Sequence, residues 1–137
     1  MLKNSSLSSI LLLVFVLFGT LAQAATDCAK VTEIPAVECQ ALLAIYNSTD
    51  GTHWRINTGW NVTNTPCSWY GIMCGNGHVT RLNLHHNQLK GSMPAELANL
   101  IYLEVIRLHN NQLRGVILDK LGNMKHLWFL YQGNNLL

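Results

Sequence analysis

The stretch VTRLNLHHNQL at residues 79–89 returns as LEVIRLHNNQL at 103–113 and as LWFLYQGNNLL at 127–137. The interval is 24 residues, and it holds beyond these stretches. Val79 falls on Leu103 and Leu127, Leu82 on Ile106 and Leu130, and Leu89 on Leu113 and Leu137. Further along, Gly91 matches Gly115, Met93 matches Ile117, Leu97 matches Leu121 and Leu100 matches Met124. A fixed internal period of about 20–29 residues marks a chain that winds as a coil of stacked rungs.

Each recurring position has a physical role. In Leu82-Asn83-Leu84 and Ile106-Arg107-Leu108 the apolar residues alternate, as in a short strand with one buried face. Asn87, Asn111 and Asn135 stand where the chain must leave that strand. An amide there can bond backbone groups that the bend leaves unpaired, and stacked copies form a ladder. Leu89, Met93, Leu97 and Leu100 then point inward around the rest of the rung. A single rung cannot bury its own apolar face, so stacking on its neighbours supplies the stability.

The run Asn87-Gln88-Leu89-Lys90-Gly91-Ser92-Met93-Pro94-Ala95-Glu96-Leu97 resembles the plant-type leucine-rich repeat, with its N-x-L-x-G-x-I-P-x-x-L pattern. The second rung departs from that pattern, with Leu118 at the proline position. The third has Gln132 in an aliphatic column. The resemblance implies an α/β-type leucine-rich repeat solenoid with parallel strands on a concave face. Such repeats are found in plant extracellular receptors and inhibitor proteins, and also in secreted bacterial and protist proteins.

Ahead of the repeats, residues 1–24 read as a secretory signal peptide. Lys3 supplies the charged start, Ile10 to Phe18 the apolar segment, and Ala22-Gln23-Ala24 the cleavage pattern. The apolar run falls short of the roughly 20 residues of a comfortable span, and no later segment is longer. Cleavage removes one lysine and no acid, so the formal net charge of +2 falls to +1. That weak balance argues neither for nucleic acid nor for an anionic membrane surface, so no nucleic-acid partner is expected.

Four cysteines, Cys28, Cys39, Cys67 and Cys74, remain in the mature chain. An even number in an exported protein implies disulfides, with three pairings open in principle. Spacing favours Cys28–Cys39 and Cys67–Cys74, each closing a short loop. Neither pair has the close C-x-x-C spacing of a zinc site. Between the pairs, Val37, Ala41, Leu42 and Ile45 fall near helical spacing over residues 36–46, and Asn47 to Gly51 end that helix with turn formers. Trp54, Trp60, Trp69 and Tyr70 follow in an irregular segment. Cys67-Ser68-Trp69-Tyr70-Gly71-Ile72-Met73-Cys74 resembles the C-x-W-x-G-x-x-C element of the family's N-terminal cap. Residues 25–78 are therefore expected to form a helical, disulfide-linked cap, and 79–137 two full repeats and one partial.

The candidate binding face is formed by the side chains between the buried leucines: Arg81, Asn83, His85 and His86 on the first strand, then Val105, Arg107, His109 and Asn110, then Phe129, Tyr131, Gly133 and Asn134. It mixes arginine, aromatic and amide groups and lacks carboxylates, a composition enriched in recognition hot spots. In similar proteins this face binds proteins, peptides or glycans. His85, His86 and His109 have no carboxylate placed to orient them, so no metal is expected. The tryptophans are expected to close the end of the coil rather than to stack on sugar.

Phosphate loops, G-x-S-x-G and H-E-x-x-H are absent, so neither catalysis nor a cofactor is expected. The expected function is a secreted, non-catalytic binding module. Two alternatives are a truncated piece of a longer receptor or adhesin ectodomain, and a small glycan- or metal-binding protein using the Trp and His clusters. Leu130, Leu136 and Leu137 leave the last rung open, which points to truncation first, with end-to-end self-association through that rung as the other expectation. Asn47-Ser48-Thr49 and Asn61-Val62-Thr63 fit the N-glycosylation acceptor pattern, relevant only to a eukaryotic secretory route.

Overall fold

The alternation at Leu82-Asn83-Leu84 forms a strand, and its copies stack on it in parallel. The computed structural model describes residues 24–115, 119 and 121–137. The signal segment before Ala24, and Ile117 and Leu118 of the second rung, lie outside them. The α-helix α1 spans Ala36–Ser48. The strands are β1 (Ile72–Gly75), β2 (His78–Asn83), β3 (Lys90–Gly91), β4 (Val105–Arg107), β5 (Gln112–Leu113) and β6 (Phe129–Tyr131).

The main sheet has the order β1-β2-β4-β6. Strands β2, β4 and β6 run parallel in the register Arg81–Val105–Phe129, Leu82–Ile106–Leu130 and Asn83–Arg107–Tyr131. Each pairing joins residues one period apart, so the repeat length and the strand register are the same fact. A short parallel pair, β3 with β5, lies elsewhere on the rung. Leu82, Leu84, Leu89, Met93, Leu97 and Leu100 of the first rung are buried, as are Leu103, Ile106, Leu108 and Leu113 of the second. Burying one such side chain stabilises by about 1.5–3 kcal/mol, and here each rung supplies the neighbour's cover.

The asparagines tie the rungs together. Asn111 accepts on Oδ1 from the backbone N–H groups of Asn87 and Leu89, both at 3.0 Å, and its Nδ2 donates to the carbonyls of Leu84 and Leu108. Asn135 repeats the pattern toward Leu113 N–H and Leu108 O. Asn87 has no preceding rung and turns to the cap instead, exchanging two bonds with the backbone of Ile56 at 2.7 and 2.9 Å.

The cap closes the first rung with a cluster of rings. Tyr46, Trp54, Trp60 and Trp69 are buried in a chain of edge and tilted contacts, with centroids 5.4, 4.9 and 5.0 Å apart in that order. Each indole N–H finds an acceptor: Thr49 O, Tyr70 O and Thr63 Oγ1, all at 2.9 Å. Disulfides join Cys28 to Cys39 and Cys67 to Cys74. Along α1 one expectation is corrected. Val37 is 48% exposed, and its neighbour Glu38 is buried at 2%. The Glu38 carboxylate is satisfied on both oxygens, accepting from His78 Nδ1 at 2.6 Å and Val79 N–H at 2.8 Å. The helix therefore turns toward the sheet a face with an acid in it, which clamps the start of β2.

A second feature escaped the sequence reading. Strands β1 and β2 form an antiparallel hairpin whose two-residue turn is Asn76-Gly77, with φ of 52° and 77°. Two consecutive left-handed residues suit the right-handed twist of the strands, which is why Asn-Gly is the common choice. This hairpin adds a strand from the cap to the edge of the repeat sheet.

Candidate functional site

The outward positions of the parallel strands form one continuous face, and the register decides which side chains meet. His85 and His109 stack with ring centroids 4.9 Å apart and planes 11° off parallel. His109 in turn stacks on Tyr131 at 4.1 Å. His86 meets both histidines edge-on, at 5.4 and 5.6 Å. The imidazoles thus present faces and edges to each other. Among the described residues no group of three or more His, Cys, Asp and Glu is arranged to hold a metal ion.

His109 is the electrostatic centre of this column. Its pKa is lowered, first by desolvation and then by the positive charge available at His85, His86 and Arg107. Its Nδ1 is buried without a hydrogen-bond partner. Neutral imidazole fits such a place better than imidazolium.

Alongside runs a second ladder of left-handed residues, His86, Asn110 and Asn134, with φ of 51°, 57° and 55°. Asn134 Nδ2 donates to Asn110 Oδ1 at 2.7 Å, and Asn110 Nδ2 donates to His86 Nε2 at 2.8 Å. Both polar ends of the Asn110 amide are thus engaged within the ladder.

The other half of the face is a cleft of about 240 Å³. Arg81, Asn83, Val105 and Arg107 line it from the repeat strands, and Gly71, Ile72 and Met73 from the cap hairpin. Arg81 and Arg107 are exposed, and neither takes part in an ion pair among the described residues. Arg107 lies over the Phe129 ring, 5.4 Å from its centroid. Asn83 Oδ1 accepts from His85 Nδ1, and its amide N–H pair has no hydrogen-bond partner among the described residues. Gly71 is required at its place: its φ is +79°, and a Cβ there would lie 2.3 Å from the Asn83 carbonyl oxygen.

Most of the residues expected on the face are on it. Arg81, His86, Arg107 and Tyr131 are exposed, and Asn83, His85, His109, Asn110 and Phe129 are half-buried. Val105 is the correction: it is 5% exposed. Flanked in register by Arg81 and Phe129, it forms the floor of the cleft rather than an outward contact. The tryptophan cluster offers no open stacking surface, because Trp54, Trp60 and Trp69 are all within the core; Trp128 is exposed at 71%. The hairpin wall, Ile72 and Met73, was missed. Its signal was the Asn76-Gly77 dipeptide directly before the first strand.

Residues 35–75 match the leucine rich repeat N-terminal domain, and residues 78–100 and 102–124 each match the Leucine Rich Repeat. The chain is similar to polygalacturonase inhibitor 1 of Arabidopsis thaliana, 39% identical over 51 residues, or 34% of this chain and 16% of that protein. It is 35% identical over 71 residues to a probable leucine-rich repeat receptor-like protein kinase of the same plant, covering 52% of this chain and 10% of the relative. The chain thus spans a small part of the length of these relatives. The fold is similar to the ectodomain of the receptor kinase SOBIR1 from Arabidopsis thaliana, with a TM-score of 0.57, 24% identity, and coverage of 74% of this chain and 55% of that one. It is similar also to the PEPR1–AtPEP1 structure, with a TM-score of 0.55, 25% identity, and coverage of 72% and 18%. Capped at one end by a disulfide-bonded helix and wound in 24-residue rungs, the chain belongs to the plant-type leucine-rich repeat proteins.

Proposed function

We propose that the mature chain is an exported, non-catalytic recognition module that binds a protein, peptide or glycan through the open face of its parallel sheet. The observation that carries this is the composition of that face. Two guanidinium groups outside any ion pair among the described residues, a stacked His85–His109–Tyr131 column and Phe129 stand together. Arginine and aromatic side chains dominate binding energy where surfaces meet. The leader at residues 1–24 supports export, and the four half-cystines are joined in disulfides, which persist in oxidising compartments. The relatives support a recognition role, since one is named an inhibitor of a polygalacturonase and another a receptor-like kinase.

The test is a binding screen of oxidised residues 25–137 against arrayed extracellular proteins, peptides and glycans. It is run in parallel with His109→Glu and Tyr131→Arg. The expected result is a ligand whose binding both substitutions abolish while the melting transition survives. Ligands that bind both variants as well as the parent would remove the face from consideration.

A further inference from the structure

We infer that the cleft between the cap hairpin and the repeat strands is a carboxylate site, and that it takes the acidic side chain of an extended peptide. This rests on the proposed recognition role of the sheet face and names the chemistry that one part of it selects.

The polar side-chain groups turned to the cleft are donors. Arg81 and Arg107 have only N–H groups to offer. Asn83 has its oxygen committed to His85, so what remains is its amide N–H pair. A ligand hydroxyl both donates and accepts, and would find no side-chain acceptor here. A carboxylate only accepts, and it matches the set. Among the described residues no carboxylate lines the cleft, and neither arginine has an ion-pair partner. Two like charges thus line one cleft, with no carboxylate among its described lining residues.

The register brings the arginines together. Arg81 pairs with Val105, and Arg107 is two residues further along the same strand. Their backbones are diagonal neighbours, about 8 Å apart by ordinary strand rise and spacing. Side chains of that length can converge on one group from that separation. Arg107 also lies over the Phe129 ring of the next strand, 5.4 Å from its centroid, which keeps its guanidinium on the outward face of the sheet.

The apolar part of the lining selects among anions. Val105 is the floor, and Ile72 with the 51%-exposed Met73 is the wall. Phosphate and sulfate keep their charge on every side and gain nothing from these surfaces. A carboxylate at the end of methylene groups places apolar carbon against Ile72 and Met73 while its oxygens reach the arginines. The volume of about 240 Å³ suits one such side chain, not a folded domain. An interior residue of an extended segment can lower its side chain into the cleft while its backbone continues across His109 and Tyr131.

The experiment is a titration of residues 25–137 with an N-acetylated, C-amidated peptide, Ala-Leu-Glu-Leu-Ala, and with its Gln counterpart. The blocked ends remove terminal carboxylates as a source. Three further probes are the free-acid Gln peptide, a short oligouronate and inorganic phosphate. The expected result is weak, salt-sensitive binding of the Glu peptide that drops about tenfold or more with Gln, with Arg81→Gln and with Arg107→Gln. Arg107→Lys should recover only part of it, because a point charge lacks the fork geometry. Equal binding of the Glu and blocked Gln peptides overturns the inference, as does parent-like affinity in both Gln variants. Preference for the free-acid Gln peptide overturns the side-chain source, and preference for the oligouronate or phosphate overturns the peptide. A screen ligand lost with His109→Glu and Tyr131→Arg but retained by both arginine variants would sink this inference and leave the recognition role standing.

Discussion

At the scale of single residues, Gln132 and His109 each carry an unmet hydrogen bond. Gln132 stands one period beyond Leu108 and two beyond Leu84, which are fully buried, and its Oε1 is enclosed without a donor. A buried polar atom in that state costs about 1–3 kcal/mol. Gln132→Leu should therefore stabilise the protein by about 1–2 kcal/mol, read from the denaturant midpoint; a loss of stability would show that the amide is satisfied in solution. His109 gives a pH dependence with a fixed sign. Its folded pKa lies below the ordinary value of 6.5, first through desolvation and then through His85, His86 and Arg107. As pH falls through that ordinary value the unfolded chain takes up a proton that the folded site resists, so the contribution is destabilising in acid and absent above neutrality. Melting temperatures at pH 5 and pH 8 should differ less in His109→Phe, which keeps the ring stack on Tyr131. An unchanged difference would assign the acid sensitivity to other groups. Neither residue's state was readable in the sequence. Gln132 could be seen to break a column, but which of its atoms would be enclosed depends on neighbouring rungs.

At the scale of elements, the hairpin β1–β2 joins cap to repeats. Two constraints hold β1 in place: the Cys67–Cys74 bridge and the pairing of Met73 with Arg81. Replacing both cysteines by serine should cost about 2.5 kcal/mol by the chain-entropy estimate for so short a loop. Because Ile72 and Met73 wall the cleft, the same double substitution should weaken Glu-peptide binding more than the remote Cys28→Ser/Cys39→Ser pair does. Equal effects would mean the wall holds its position without the bridge. The repeat strands were legible in the sequence because alternation and period spoke together at Leu82-Asn83-Leu84 and Ile106-Arg107-Leu108. The helix was legible too, with Ala41, Leu42 and Ile45 inward as expected and Val37 alone misplaced. Periodicity counts apolar residues and gave Val37 the inward place. Glu38 occupies it because His78 and Val79, distant by about forty residues in the chain, supply its partners. No local pattern encodes such a contact. Val105 failed for a related reason: outward in the strand alternation, it is covered by what flanks it on the adjacent strands.

At the scale of the whole molecule, the chain is a one-dimensional stack in which every rung leans on the one before. The fold class was written in the spacing alone, since a period of 24 fixes which residues lie in register. The cleft was not, because it forms where the cap adds a strand that is no part of the repeat. Its chemistry follows from a boundary between two kinds of structure, and boundaries leave weak marks in periodic sequence.

The asparagine ladder also gives the stack a direction in time. Asn111 bonds Asn87 N–H, Leu89 N–H and Leu84 O, all of them one rung nearer the cap, and Asn135 reaches back to Leu108 and Leu113 in the same sense. Asn111 and Asn135 also bond carbonyls of their own rungs, but each completes its set of partners only once the previous rung exists, and the first, Asn87, completes its set in Ile56 of the cap. Assembly should therefore start at the cap and add rungs outward like courses laid on a foundation, with loss of structure running in reverse. Native-state hydrogen exchange should show protection falling from the amides of Asn87 and Leu89 to that of Leu113, and Asn87→Ala should lower protection in all rungs together. A gradient running the other way would place the foundation at the far end.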